Sequence, residues 1–445
     1  MKRSGISHAT LMLLVCALPL LVFFALALAG VPLNPLWVPL IMILCCLAMF
    51  YLTAGACGHE RAERVPPAIP EGPPVPPAEV LKTEDVFRVQ SSRRVGEAII
   101  QEGELLRGPD EAYAVLKARS ENAGVTPLLQ EDREGRPLLV WLPGAVGPDA
   151  GKQRGPWLNI LLLLLTLATT TGAGALYAGA DVLQEPARLA DGLPYSLTLL
   201  VILGAHELGH YFAARAHHMK VSLPYFIPVP FGLGTFGAFI RLKSPAENRR
   251  ALFDVGVAGP LAGLVFAIPA LWIGLRYSRV LTPEELADHM HGGIGVGSSA
   301  LLALTAKMAL GGALAEGHRL LLHPLAFAGW LGLLVTALNL LPIGQLDGGH
   351  IADAMFGRAR SAAIGTAALV ALVLLGLFVW SGLLTWALIV YFIAGGKGLP
   401  PLNDVSRMGV GRLAVGAFAF VLLFLILAPV PHALYDALGI HCPYL

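Results

Sequence analysis

The chain has 445 residues, of which 56% are hydrophobic and only 14% charged. That balance excludes an ordinary soluble domain and fits a chain solvated mostly by lipid. A net charge of +1, with no basic run interleaved with aromatics, argues against nucleic acid as a partner. Five cysteines (Cys16, Cys45, Cys46, Cys57, Cys442) lack any C-x-x-C spacing, which argues against a disulfide framework or a cysteine-rich metal site.

In chain order, Met1-Lys2-Arg3 precedes an apolar run over 9–30, longer than a cleaved signal segment and soon followed by a second run over 35–55; the pair reads as an uncleaved signal anchor and hairpin. A proline-rich stretch over 65–77 predicts a stiff, extended linker. The polar region behind it predicts a small α/β domain: a strand around 94–100, a helix opening at Pro109-Asp110-Glu111 and running to about Glu121, and strands near 126–130 and 137–141 joined by a charged loop. Nothing in this domain is catalytic in type, which leaves a folded spacer or a substrate-gating or partner-binding module.

Further spans are predicted at 157–178, 194–216, 252–275, 324–344, 361–380, 382–396 and 412–430, while 298–312, which carries Lys307, reads as an interfacial helix. The stretch 221–240 holds too many prolines and glycines for a spanning helix and suits a re-entrant extended segment or hairpin. The fold class is therefore mainly α: a polytopic helical membrane protein with a re-entrant segment and a small α/β extramembrane domain. Four parts follow, an N-terminal hairpin (1–55), a linker with the small domain (56–156), an intramembrane core (157–400) and a C-terminal helix and tail (401–445). Basic residues flanking the spans put the start of the chain and the region 56–156 on the cytoplasmic side.

Chemistry concentrates in His206-Glu207-Leu208-Gly209-His210, near the end of an apolar run. On a helix, histidines four residues apart share a face and can grip one metal ion, with the glutamate beside them to activate water. Ionisable side chains at membrane depth are costly and mark function by default. A hydrolytic zinc takes three protein ligands and keeps one position open. Asp347, after the helix-breaking stretch from Asn339 to Gly344, is the candidate third donor; it also reads as a turn aspartate closing a helix, and Asp254 is the nearest rival.

Together, His206-Glu207-x-x-His210 and Asn339-x-x-Pro342 with Leu346-Asp347-Gly348 resemble the site-2 protease family of intramembrane zinc proteases, as do 234–240 and 254–263 between them. The likeness covers about 157–400 and lies nearest the branch of the chloroplast yellow-green, gravitropism-deficient proteases; no PDZ domain is evident. The resemblance implies one Zn2+ per chain held by His206, His210 and Asp347, with Glu207 as general base and Asn339 positioning substrate or stabilising the oxyanion. It implies regulated proteolysis of transmembrane substrates in the bilayer. His350 reads as a polar residue at the membrane surface. The expected location is a bacterial cytoplasmic membrane with the site toward the cytoplasm. A metal transporter is the rival class, but the remaining core histidines fall at predicted helix ends or loops, and a pure binding site needs no base. Oligomeric state is not legible.

Overall fold

The computed structural model describes residues 83–96, 98–120, 123–132, 134–144, 155–182, 184–281, 299–311, 319–378, 382–394 and 400–428. The two expected N-terminal spans and the proline-rich linker lie outside these residues.

The first described element is a four-stranded antiparallel sheet in the order β1-β2-β4-β3, formed by β1 (Phe87–Val95), β2 (Ala98–Leu105), β3 (Val125–Glu131) and β4 (Pro137–Pro143). Helix α1 (Pro109–Ser120) follows β2, and Tyr113 and Leu116 pack with Phe87, Leu129, Leu139 and Trp141 in one core. The Trp141 indole N–H finds its partner in the buried Gln101 amide at 3.1 Å, so the core keeps no orphaned donor there. The stretch expected as one strand over 94–100 is instead the turn of the β1–β2 hairpin. Gly96 adopts a φ of 62°, which only glycine takes without strain, and the flanking residues belong to two different strands.

Beyond the sheet come α2 (Trp157–Tyr177), a 3-10 helix (Pro186–Gly192), α3 (Leu193–Ala216), β5 (Tyr225–Pro228), β6 (Thr235–Phe239), α4 (Arg249–Tyr277), β7 (Arg279–Leu281), α5 (Ala300–Leu310) and β8 (Arg319–Leu321). The chain continues with α6 (Pro324–Asn339), α7 (Asp347–Phe356), α8 (Arg358–Phe378), α9 (Gly382–Ala394) and α10 (Val410–Leu427). Among the described residues five helical segments are long and apolar enough to cross a membrane: α2, the 3-10 helix with α3, α4, α8 and α10. Their outward faces carry Leu164, Leu197, Phe266 and Phe378, large apolar side chains that lipid would cover. The protein is thus mainly helical with a small sheet domain.

The run expected as a single span over 324–344 does not form one. Helix α6 stops at Asn339 after 16 residues, and Gly344 takes a φ of 52°; a second helix, α7, starts at Asp347. Pro342 cannot donate to a helical ladder, so the apolar run outlasts the helix.

Helices α3, α4 and α6 pack mutually. Small residues permit it: a Cβ on Gly329 would strike the Leu271 backbone, and one on Gly332 would press on Ile202. Helix α2 lies beside α3, where buried Thr170 meets the Ser196 hydroxyl at 2.5 Å and returns a hydrogen bond to its own helix at Thr166 O.

The sheet domain is tied to the helical core by the 401–406 segment, where Asn403 forms isolated bridges to Leu129 and to Asn248. Leu402 O accepts from Leu129 N, and Asp404 N donates back to Leu129 O. On its other side Leu402 N and Asn403 N donate to Ala246 O and Glu247 O. Arg249, at the start of α4, locks this junction by pairing with Asp404 at 2.9 Å and Glu131 at 2.8 Å. Burial holds the Asp404 carboxyl above its ordinary range, against the pull of Arg249.

Candidate metal centre

Two helices far apart in sequence meet at one point. Helix α3 supplies His206 and His210 from one face, Glu207 projects beside them, and all three are buried. Asp347, the first residue of α7, reaches in from the opposite side, where the free N–H groups of a helix start favour a carboxylate. Asp347 Oδ2 stands 3.2 Å from His206 Nε2 and 3.2 Å from His210 Nε2. The three donor atoms lie within 4.8 Å of one another, and no other such group occurs among the described residues.

The donor set fits zinc. Tetrahedral N and O ligands about 2.0–2.1 Å from the ion stand roughly 3.3 Å apart, close to the spacing here, and three protein donors leave one position open. The tautomer is also set. His210 Nδ1 lies 2.7 Å from Val255 O; a carbonyl only accepts, so Nδ1 carries a proton and Nε2 is the nitrogen left to serve as a metal donor.

Helix α4 shapes the other wall. A Cβ on Gly259 would run into the His210 imidazole, and one on Gly263 would meet His206 Nδ1 at 3.3 Å. This Gly-x-x-x-Gly pair, antiparallel to the two histidines, lets the backbones approach closely enough to seat both rings. Sequence reading noted the 254–263 stretch only as a likeness; its small residues four apart were the available signal for this contact. The Val255 carbonyl left no signal, since any residue carries one.

Asn339, the last residue of α6, holds Nδ2 3.3 Å from His206 Nε2, at the edge of the triad. The backbone amide of Ile240, just after β6, lies near the Glu207 carboxyl, which places the base beside the β5–β6 hairpin. The rival donor Asp254 is engaged elsewhere: Arg412 grips it with two bonds of 2.7 Å and His217 Nε2 sits 2.9 Å away. His350 is half-buried, with its Cβ against Gly256 of α4.

The stretch 221–240 forms the antiparallel β5–β6 hairpin, in which Tyr225 pairs with Phe239 and Phe226 with Ala238. Among the described residues β6 pairs only with β5, which leaves its other edge without a strand partner.

Comparison with known proteins agrees with this geometry. Residues 194–381, which hold every residue of the triad, match the model of peptidase family M50. The Arabidopsis thaliana protein named probable zinc metalloprotease EGY1, chloroplastic, is 38% identical over 255 residues, covering 56% of this chain and 45% of that protein. Its counterpart EGY2 is 30% identical over 367 residues, covering 78% of this chain and 63% of its own length. EGY3 is 30% identical over 375 residues with the same two coverages. The chain therefore spans about half to just under two thirds of these relatives. No solved structure matches it. These relatives overturn the expectation of a bacterial cytoplasmic membrane: all are named as chloroplastic and point to a chloroplast membrane instead. The motif resemblance holds, and the chain carries, over residues 194–381, a domain of peptidase family M50, the site-2 proteases.

Proposed function

We propose that this protein is an intramembrane zinc metalloprotease that hydrolyses peptide bonds in or near transmembrane segments of membrane-protein substrates. The observation that carries the reading is the convergence of His206 Nε2, His210 Nε2 and Asp347 Oδ2 beside a buried glutamate, inside a bundle of apolar helices. In this reading His206, His210 and Asp347 hold one Zn2+ per chain. When bound, the ion supplies Lewis acidity, lowering the pKa of a water and polarising the scissile carbonyl.

The remaining work falls to the chain. Glu207 takes the proton of the attacking water and passes it to the leaving amine. Asn339 donates its amide N–H to the oxygen on which charge develops. The wall formed by Gly259 and Gly263 holds both imidazoles in place, and the surrounding helices exclude bulk water, which strengthens every charge interaction in the site.

A helical client hides its amides, so it has to unwind before it is cut. We assign the open edge of β6 as its receiver, with the hairpin re-entrant at membrane depth. The nearness of Ile240 to Glu207 supports this, because a strand added there would run past the base. The four-part division of the chain into hairpin, sheet-domain region, core and C-terminal helix belongs to the same proposal, with the sheet domain docked on the core through Arg249. A metal-transport role finds no support in a single donor group among the described residues.

The test is Glu207→Gln in the full-length protein, assayed on a transmembrane client peptide. Cleavage is expected to vanish while zinc stays near one per chain. Normal turnover by this variant would overturn the assignment of the base.

A further inference from the structure

A cluster outside the triad bears on it. Arg412, in the first turn of α10, sends Nε to Asp254 Oδ1 and an Nη to Asp254 Oδ2, both at 2.7 Å, and His217, the residue capping α3, donates to the same carboxylate at 2.9 Å. One aspartate thus joins the ends of three helices. The three side chains are partly exposed, between 26% and 37%, so the cluster is hydrated and its removal need not unfold the protein. Its position matters more than its strength. Asp254 directly precedes Val255, whose carbonyl fixes the His210 tautomer, and lies five residues before Gly259, which underlies the His210 ring.

We infer that Asp254, held by Arg412 and His217, is a positioning residue that sets the register of α4 against α3 and thereby holds His210 in its metal-binding pose. A slide or rotation of α4 would part Val255 O from His210 Nδ1 and drive the Gly259 backbone toward or away from the ring. Bidentate contact makes Arg412 a geometric clamp, which a single lysine ammonium cannot copy. The inference deepens the protease reading and rests on it for its catalytic consequence. The clamp itself is a statement about the packing of α3 and α4.

The experiment compares full-length wild type with Asp254→Asn, Arg412→Gln and Arg412→Lys. Loss of zinc to a chelator is timed, kcat and KM are measured on a transmembrane client, and amide exchange over 206–217 and 254–260 is followed in the metal-free protein. Groups supporting metal ligands typically contribute about 10–100-fold in affinity or activity. Asp254→Asn and Arg412→Gln are expected to release zinc about tenfold faster and lower kcat at constant KM, with faster exchange in both segments and Arg412→Lys intermediate. Unchanged zinc release and kcat would overturn the inference, as would a lowered melting temperature with both preserved. A wild type that holds no zinc and cuts nothing counts against the protease reading; exchange in the metal-free protein then decides the clamp alone, and wild-type protection in the variants overturns it.

Discussion

Gly259 of α4 lies directly beneath the His210 imidazole, so close that a single added methyl has no room. The second metal-binding histidine therefore owes its pose as much to an absent side chain on a neighbouring helix as to its own place in the motif. Overpacking of this kind typically costs about 1–3 kcal/mol, and here the strain falls on a ligand. Gly259→Ala is expected to weaken zinc binding at least tenfold while Gly256→Ala, whose Cβ would meet only neighbours at 3.2 Å or beyond, does so less. Zinc competition titrations on both variants check the ranking.

Asp347 completes the triad from a different helix, so its loss removes a donor without disturbing α3. Asp347→Ala is expected to lose both tightly held zinc and cleavage, while Asp254→Ala, despite removing the rival donor that the sequence offered, keeps zinc near one per chain at saturating metal. Metal analysis distinguishes the two. Full, tightly held zinc in Asp347→Ala would place the third ligand elsewhere.

How much of this was legible before the fold follows from the range of the interactions. His206, Glu207 and His210 declare themselves because helical periodicity is local and the motif lies within a single helix. Asp347 was nameable, but the helix it opens was not: an apolar run from 324 to 344 hides the end of α6 at Asn339, since Leu340, Leu341 and Ile343 are as apolar in a broken segment as in a helix. The turn at Gly96 was lost for a similar reason, with β-type residues on both sides of it merging into one apparent strand. The Asp254, Arg412 and His217 cluster was invisible, because its residues are 158 and 37 positions apart and carry no spacing rule.

The β6 edge makes a strand-specific prediction. Backbone groups alternate sides along a strand, so if the proposed client strand pairs at Ile240, just after β6, Ala238, two residues before it, offers its amide to the same client. Ala238→Pro is expected to reduce client cleavage strongly with zinc occupancy unchanged, since proline removes the donor a client strand would use. Photo-crosslinkers at 236 and 238 in a Glu207→Gln background should trap the client. Silence there, with capture only by probes on the sheet domain, would discard the strand-addition idea.

Arg249 is 12% exposed and holds two carboxylates from separate elements. Its removal leaves Asp404 buried and unpaired, a loss on the order of 3 kcal/mol for a broken buried pair. Arg249→Ala is expected to speed amide exchange over 125–131 and 400–406. The pH dependence follows from the sign of the Asp404 shift. Its folded pKa is raised, so its contribution favours folding below the ordinary carboxylate value near 4 and is lost as pH rises through the folded value. The gap in protection between wild type and Arg249→Ala should accordingly narrow on acidification from pH 7 toward pH 4, and a gap that widens would contradict the assigned role of this pair.

One metal ion, held by His206, His210 and Asp347, is proposed to make this protein a peptide hydrolase acting on transmembrane clients. This role is tested most directly by mass spectrometry of a transmembrane client peptide incubated with the purified full-length protein, before chelation, after removal of metal, and after zinc is restored. New termini are expected within or near the apolar segment of the client, disappearing on chelation and returning with zinc. An uncut client with stoichiometric zinc bound, or cleavage that survives complete removal of the metal, would contradict it.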